Sequence, residues 1–88
     1  MEFKIATRQS QDQNGILHMF HYYLTIDQIH AGAFFCENYG VRISDENGES
    51  AAIPSITVSA LRMDELMTLL VDNRVSPSGL TDVVMDWI

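Results

Sequence analysis

The sequence predicts an α+β fold, with three or four antiparallel strands followed by two C-terminal helices packed on one sheet face. Two observations lead there. Residues 1–58 alternate apolar and polar with a period near two, interrupted by Gly, Asn and Asp clusters, as a β meander does. Residues 59–88 switch to a helical period, and the switch happens once. A third observation bounds the answer: 88 residues, 47% apolar, make one domain spanning 1–88 with an ordinary core.

Each element follows in order. EFKIATRQ alternates, with Phe3, Ile5 and Thr7 on one face, and reads as a strand. SQDQNG is a polar turn. ILHMFHYYLTI is rich in aromatic and β-branched residues. Ile16, His18, Phe20, Tyr22 and Leu24 share one of its faces, and Leu17, Met19, His21 and Tyr23 the other. Both faces are partly apolar, which places this strand centrally. QIHAGA breaks the run, and FFCENYGVRIS reads as a third strand with Gly40 as a bulge. Asn47-Gly48 in DENGE suits a type I′ hairpin. SAAIPSITVS contains Pro54, which cannot donate to a ladder, so it reads as a short edge strand or extended link.

Ser59 then caps a helix through ALRMDELMTLLVDN, whose apolar stripe is Met63, Leu66, Met67 and Leu70. Ser76-Pro77 opens a second helix. Leu80, Val83, Val84, Trp87 and Ile88 fall on one helical face, and the expectation is that all five are buried. On that reading Trp87 and Ile88 close the core, which gives the chain a reason to stop there.

YYLTI, YGVRIS and the run from Ala60 to Ile88 resemble a family of short uncharacterised bacterial proteins. There a small antiparallel sheet precedes a helix, an N-x-V-S/T-P connector and an acidic last helix. The resemblance is clearest over residues 60–88. It implies the same architecture and a bacterial or phage context, and it carries no catalytic residues.

Charge is the most unusual property. Twelve acids against five bases give a net charge of −7, and eight of the acids lie after residue 43. Such a surface repels nucleic acid and anionic lipid and favours a basic protein. Asp64 and Asp72 share a helix face with Thr68, Glu65 lies beside them, and Asp82 and Asp86 recur at i+4 on the second helix. Asp86 sits in a last turn whose dipole disfavours it, and no base follows Arg74 in sequence to offset it. These five carboxylates are the candidate partner-binding residues.

Chemistry-bearing motifs are sparse. His18 and His21 are spaced H-x-x-H, but on a strand they face opposite sides. Cys36, the single cysteine, cannot form an intramolecular disulfide and reads as a small buried residue beside Phe34 and Phe35. Asp45-Glu46-Asn47-Gly48-Glu49 lacks calcium-loop spacing, and no phosphate-binding glycine loop or nucleophile elbow is present. No apolar run reaches membrane length and no secretory signal opens the chain, so a cytoplasmic protein without cofactor is expected.

The leading expectation is a non-catalytic, acidic inhibitor. It would cover a basic surface, such as that of a nucleic-acid-binding enzyme, by charge mimicry. In physical type it is similar to phage-encoded anti-CRISPR proteins. Two alternatives are a self-associating accessory domain, pairing through a sheet edge or the aromatics of FHYYL, and a small-ligand or enzyme domain. If the histidines and Cys36 hold no metal, protein purified without chelators will carry no stoichiometric zinc or iron by elemental analysis.

Overall fold

A computed structural model describes residues 1–88. Four strands form one antiparallel meander in the order β1-β2-β3-β4: β1 Glu2–Gln11, β2 Leu17–Ala31, β3 Phe34–Asp45 and β4 Ser50–Thr57. Helix α1 (Ala60–Asp72), a 3₁₀ turn (Pro77–Gly79) and helix α2 (Leu80–Trp87) follow. The fold is therefore α+β, with four strands rather than three. β2 is central, as its two-sided apolar pattern requires.

The helices cover one face only. Phe20 and Tyr22 of β2, with Val41 and Ile43 of β3, meet Met63, Leu66, Met67, Leu70 and Val71 of α1 and Leu80 and Val84 of α2. These eleven side chains are the whole buried apolar core. The stripe expected for α1 is fully buried, and Ser59 Oγ accepts from the Arg62 amide at 3.2 Å.

The α2 stripe holds only in part. Leu80 and Val84 are buried, Val83 and Trp87 are half-buried, and Ile88 is 75% exposed. The helix begins at Leu80, because Pro77–Gly79 form a tighter turn and Ser76 makes no side-chain cap. That 3₁₀ turn shortens α2 to eight residues, so its last residue lies beyond the sheet-facing core.

Several turns differ from expectation. Phe3 faces Leu24 while Thr7 faces His21, so the two lie on opposite faces; a bulge between Lys4 and Ala6 reverses the alternation. Asn47-Gly48 does not form a type I′ turn, since only Gly48 has positive φ (+89°). Asp45 N–H donates to the Glu49 carbonyl at 2.9 Å across a three-residue loop, and Asp45 Oδ1 accepts from the Asn47 and Glu49 amides. DQNGI at the β1–β2 turn repeats this plan, with Asp12 Oδ1 accepting from Asn14 and Ile16. β3 runs without the expected bulge through Gly40; the irregularity lies opposite it, where β4 carries two extra residues between Ile53 and Thr57, and a Cβ on Gly40 would lie 2.4 Å from the Ile53 carbonyl oxygen. β4 is the edge strand that Pro54 demands.

The largest departure concerns QIHAGA. It does not break the strand. β2 continues to Ala31, and a two-residue turn, Gly32-Ala33 with Gly32 at φ +64°, returns the chain into β3. β1 reaches only Thr25, apart from two bonds at its start, from the Ile26 amide to the Met1 carbonyl and from the Met1 amine to the Ile26 carbonyl, and β4 reaches only Tyr39. Residues 27–38 thus project as a two-stranded arm, and the molecule extends 54 Å against 23 and 17 Å.

Tyr22 is fully buried, and its hydroxyl donates to the Val75 carbonyl at 2.9 Å. Burial pushes its pKa up from 10 to about 12. A raised folded value means that this contribution is complete below pH 10 and lost as pH rises toward 12. Tyr22→Phe should cost about 1–3 kcal/mol in urea unfolding at neutral pH, because the Val75 carbonyl loses its partner. The same variant should flatten the loss of stability between pH 10 and 12.

Candidate functional site

Three regions carry the chain's unspent chemistry: a polar hollow at the turn end of the sheet, the acidic helical flanks, and the arm. The hollow, about 380 Å³, lies between the two D-x-N-G turns and the connector after α1. Asp12, His18, Asp45, Glu49, Arg74 and Ser76 line it. His18 Nε2 lies 2.9 Å from Asp12 Oδ2, while Asp12 Oδ1 holds two turn amides. The His18 bond, with those amides, lowers the Asp12 pKa from its ordinary value. Arg74 Nε donates to the Gln9 carbonyl at 3.1 Å, and Ser76 Oγ lies 3.0 Å from Ser78 Oγ. The polar groups thus spend their bonds on turns and on one another, and no hydroxyl is paired with the imidazole. His21 faces the other side of the sheet, 3.0 Å from Thr7 Oγ1. No group of three His, Cys, Asp or Glu side chains converges in a way that would hold a metal ion.

All five candidate acids are exposed and outside every ion pair. They do not form one face. Asp64 and Asp72 border a groove between α1 and β1 that also holds Arg8, whereas Asp86 borders a separate groove with Leu69, Val83 and Trp87. Glu65 and Asp82 lie in neither. The conflict at the α2 C-terminus is relieved from outside the helix. The Arg62 guanidinium of α1 lies 4.3 Å over the Trp87 ring, a cation that reading along α2 alone misses.

The arm is the region that sequence reasoning overlooked. Every residue from Asp27 to Cys36 is exposed. Cross-strand pairs place Ile29 beside Cys36 and Ala31 beside Phe34. By strand alternation these four share the face away from the helices, and that patch is wholly apolar. Phe34 is 80% exposed, and Cys36 is exposed rather than buried as expected, because no helix reaches this far. Phe35 and His30 form a tilted ring pair on the reverse face, with centroids 5.1 Å apart. The missed signal was Gly32-Ala33 flanked by apolar residues at matching offsets, which fits a hairpin with glycine first in its turn. Of the aromatics in FHYYL, Phe20 and Tyr22 belong to the core and only the tyrosine at 23 is part-exposed.

A family model described as a family of unknown function, DUF6514, matches residues 1–88. The chain belongs to the DUF6514 family. No curated protein and no solved structure matches it. Membership spans the arm, the sheet and both helices of this DUF6514 chain, so the arm is no appendage outside the family's bounds. No helix is long and apolar enough to cross a membrane.

The outer face of the DUF6514 sheet is braced just below the arm. Arg42 grips Glu2 with both carboxylate oxygens, at 2.7 and 2.9 Å, and lies 4.0 Å over the Tyr23 ring. One cation so ties β1, β2 and β3. The Arg42 bonds hold the Glu2 carboxyl below its ordinary value of 4.5. The bridge therefore contributes fully above that value and is lost as pH falls through the lower folded one. In an NMR titration Glu2 should titrate below the ordinary glutamate range, and Arg42→Ala should return it there.

Proposed function

We propose that this protein is a non-catalytic interaction domain that engages its partner through the projecting β2–β3 arm. One observation carries the reading. The tip, Gln28 to Cys36, has no acid, lysine or arginine, and it presents Ile29, Ala31, Phe34 and Cys36 on one uncovered face. A two-stranded ribbon is marginal in water on its own, and none of the apolar side chains of this one packs against the core. Contiguous exposed apolar patches in small soluble proteins commonly mark contact sites. The four-stranded sheet and its helices serve as the rigid base from which the arm extends.

A second reading rests on the helices. Asp64, Glu65, Asp72, Asp82 and Asp86 are exposed and unpaired, while the layer's two arginines are engaged with Trp87 and Gln9. On this reading the acidic flanks mask a basic nucleic-acid-binding surface, as an anti-CRISPR-like inhibitor would. Their scatter, with three bordering two separate grooves and two bordering neither, makes them a less coherent surface than the arm tip.

A photo-crosslinking amino acid at position 34, or at position 82, separates the two in cells. Adducts at 34 that vanish on Ile29→Ser support the arm. Adducts at 82 alone, lost when Asp64, Asp72 and Asp86 become Asn and weakened by salt in lysate, transfer the function to the acidic flanks.

A further inference from the structure

We infer that the occupant of the arm's apolar face is the arm of a second copy, packed face to face and antiparallel. This inference rests on the arm being the contact site. Two features select a second copy, and a third sets how weakly it binds.

The first is side-chain size. Along the patch the large residues Ile29 and Phe34 sit diagonally, with the small residues Ala31 and Cys36 filling the other diagonal. A two-fold axis across the strands, between the Ile29/Cys36 and Ala31/Phe34 pairs, sets Ile29 over Ala31 of the second copy and Phe34 over its Cys36. Large meets small at every position. Sheet faces pack by this interdigitation, and an isologous contact needs this self-complementarity.

The second feature is charge. Two molecules of net charge −7 repel, and the repulsion must be avoided for any dimer to form. The chosen axis passes level with His30, four residues beyond Ile26 at the arm's base. At about 3.4 Å per residue the four-stranded bodies stand roughly 27 Å apart. That is about three times the screening length at physiological salt, near 8 Å. Asp27, which shares the patch face, falls beyond the apolar contact, beside the uncharged Gly32-Ala33 turn of the second copy. Overlapped arms are thus an approach in which two acidic bodies meet through uncharged surface.

The third feature is area. Four side chains per copy bury less than the roughly 800 Å² per partner of a standard interface. The dimer is accordingly weak and reversible, with dissociation in the micromolar range.

The sign of the salt effect makes the test decisive. In sedimentation velocity the protein should pass from monomer to dimer across the micromolar range. Raising salt from about 10 mM, where the screening length of about 30 Å exceeds the separation, to physiological strength should strengthen the dimer, and further salt should not dissociate it. Phe34→Ser should leave a monomer with unchanged circular dichroism and Trp87 fluorescence, since Phe34 packs on no core residue. A short bismaleimide should link two copies through Cys36, and Phe34→Ser or Cys36→Ser should abolish the link. A protein that stays monomeric and unlinked at high concentration overturns the second copy. If photo-crosslinks at position 34 then reach a different protein, the arm is still the contact site; if position 34 gives no adduct, the arm reading falls as well. A dimer that survives Phe34→Ser, or that salt dissociates, also overturns the inference.

Discussion

The fold depends on how Tyr22 joins the sheet to the break between the helices. Tyr22 lies on the interior strand β2 and is fully buried, so its hydroxyl must find a partner inside the protein. It finds the Val75 carbonyl, just past the end of α1. The helix ends there as a Schellman motif. The Arg74 amide bonds to the Val71 carbonyl, and the Val75 amide to Leu70. Arg74 takes the left-handed position at φ +49°, usually given to glycine, and a non-glycine residue there costs about 1–2 kcal/mol. Its side chain has a use glycine lacks, since Nε reaches the Gln9 carbonyl at the end of β1. Both polar groups of Val75 and the end of β1 are thus fixed by one turn, and that turn sets where α2 can lie.

That placement explains why half the sheet is left bare. α1 and α2 are 13 and 8 residues long, about 20 and 12 Å, and their connector is pinned over Tyr22. They cover Phe20 to Leu24 and the opposing stretch of β3, and stop. β2 and β3 run on without them, and beyond Thr25 and Tyr39 they also lose β1 and β4. Where the four strands still run together, the uncovered face is held by the Glu2–Arg42–Tyr23 brace instead of by packing. The arm starts where that brace ends.

How much of this was legible in sequence follows from the range of each interaction. The α1 stripe, the Ser59 cap and the Pro54 edge are local, and each was readable from a few neighbouring residues; the irregularity at Gly40 lies in the facing strand β4, which residues around Gly40 do not report. The Phe3/Thr7 face was misassigned because a bulge adds one residue without a composition signal. Ile88 was placed inside because a periodic pattern does not report where the opposing layer ends. Cys36 failed for the same reason. Small and apolar residues are usually buried, but burial needs a second layer, and none exists at the arm. Among the candidate site residues, exposure of the five acids was legible and their separation was not. Which of them border a groove, and which groove, depends on how α1 sits between β1 and α2.

The acidic body and the uncharged tip of the arm are best understood together. An exposed, flat ribbon with apolar side chains invites uncontrolled strand addition, and proteins commonly guard such edges with charge. Here Asp27 and Glu37 stand at the base of the arm and nothing charged stands at its tip. The guard therefore acts at a distance. Mutual repulsion between bodies disfavours any stacking that brings them close, which includes parallel arms and continued edge-to-edge growth. It leaves nearly untouched the one arrangement that keeps them apart. On this argument the net charge of −7 selects the geometry of contact, and the apolar tip supplies its energy. Neutralising the body would then be expected to broaden association toward open-ended assembly instead of simply strengthening a dimer. The long spacing of the arm would no longer matter once the charges it separates were gone.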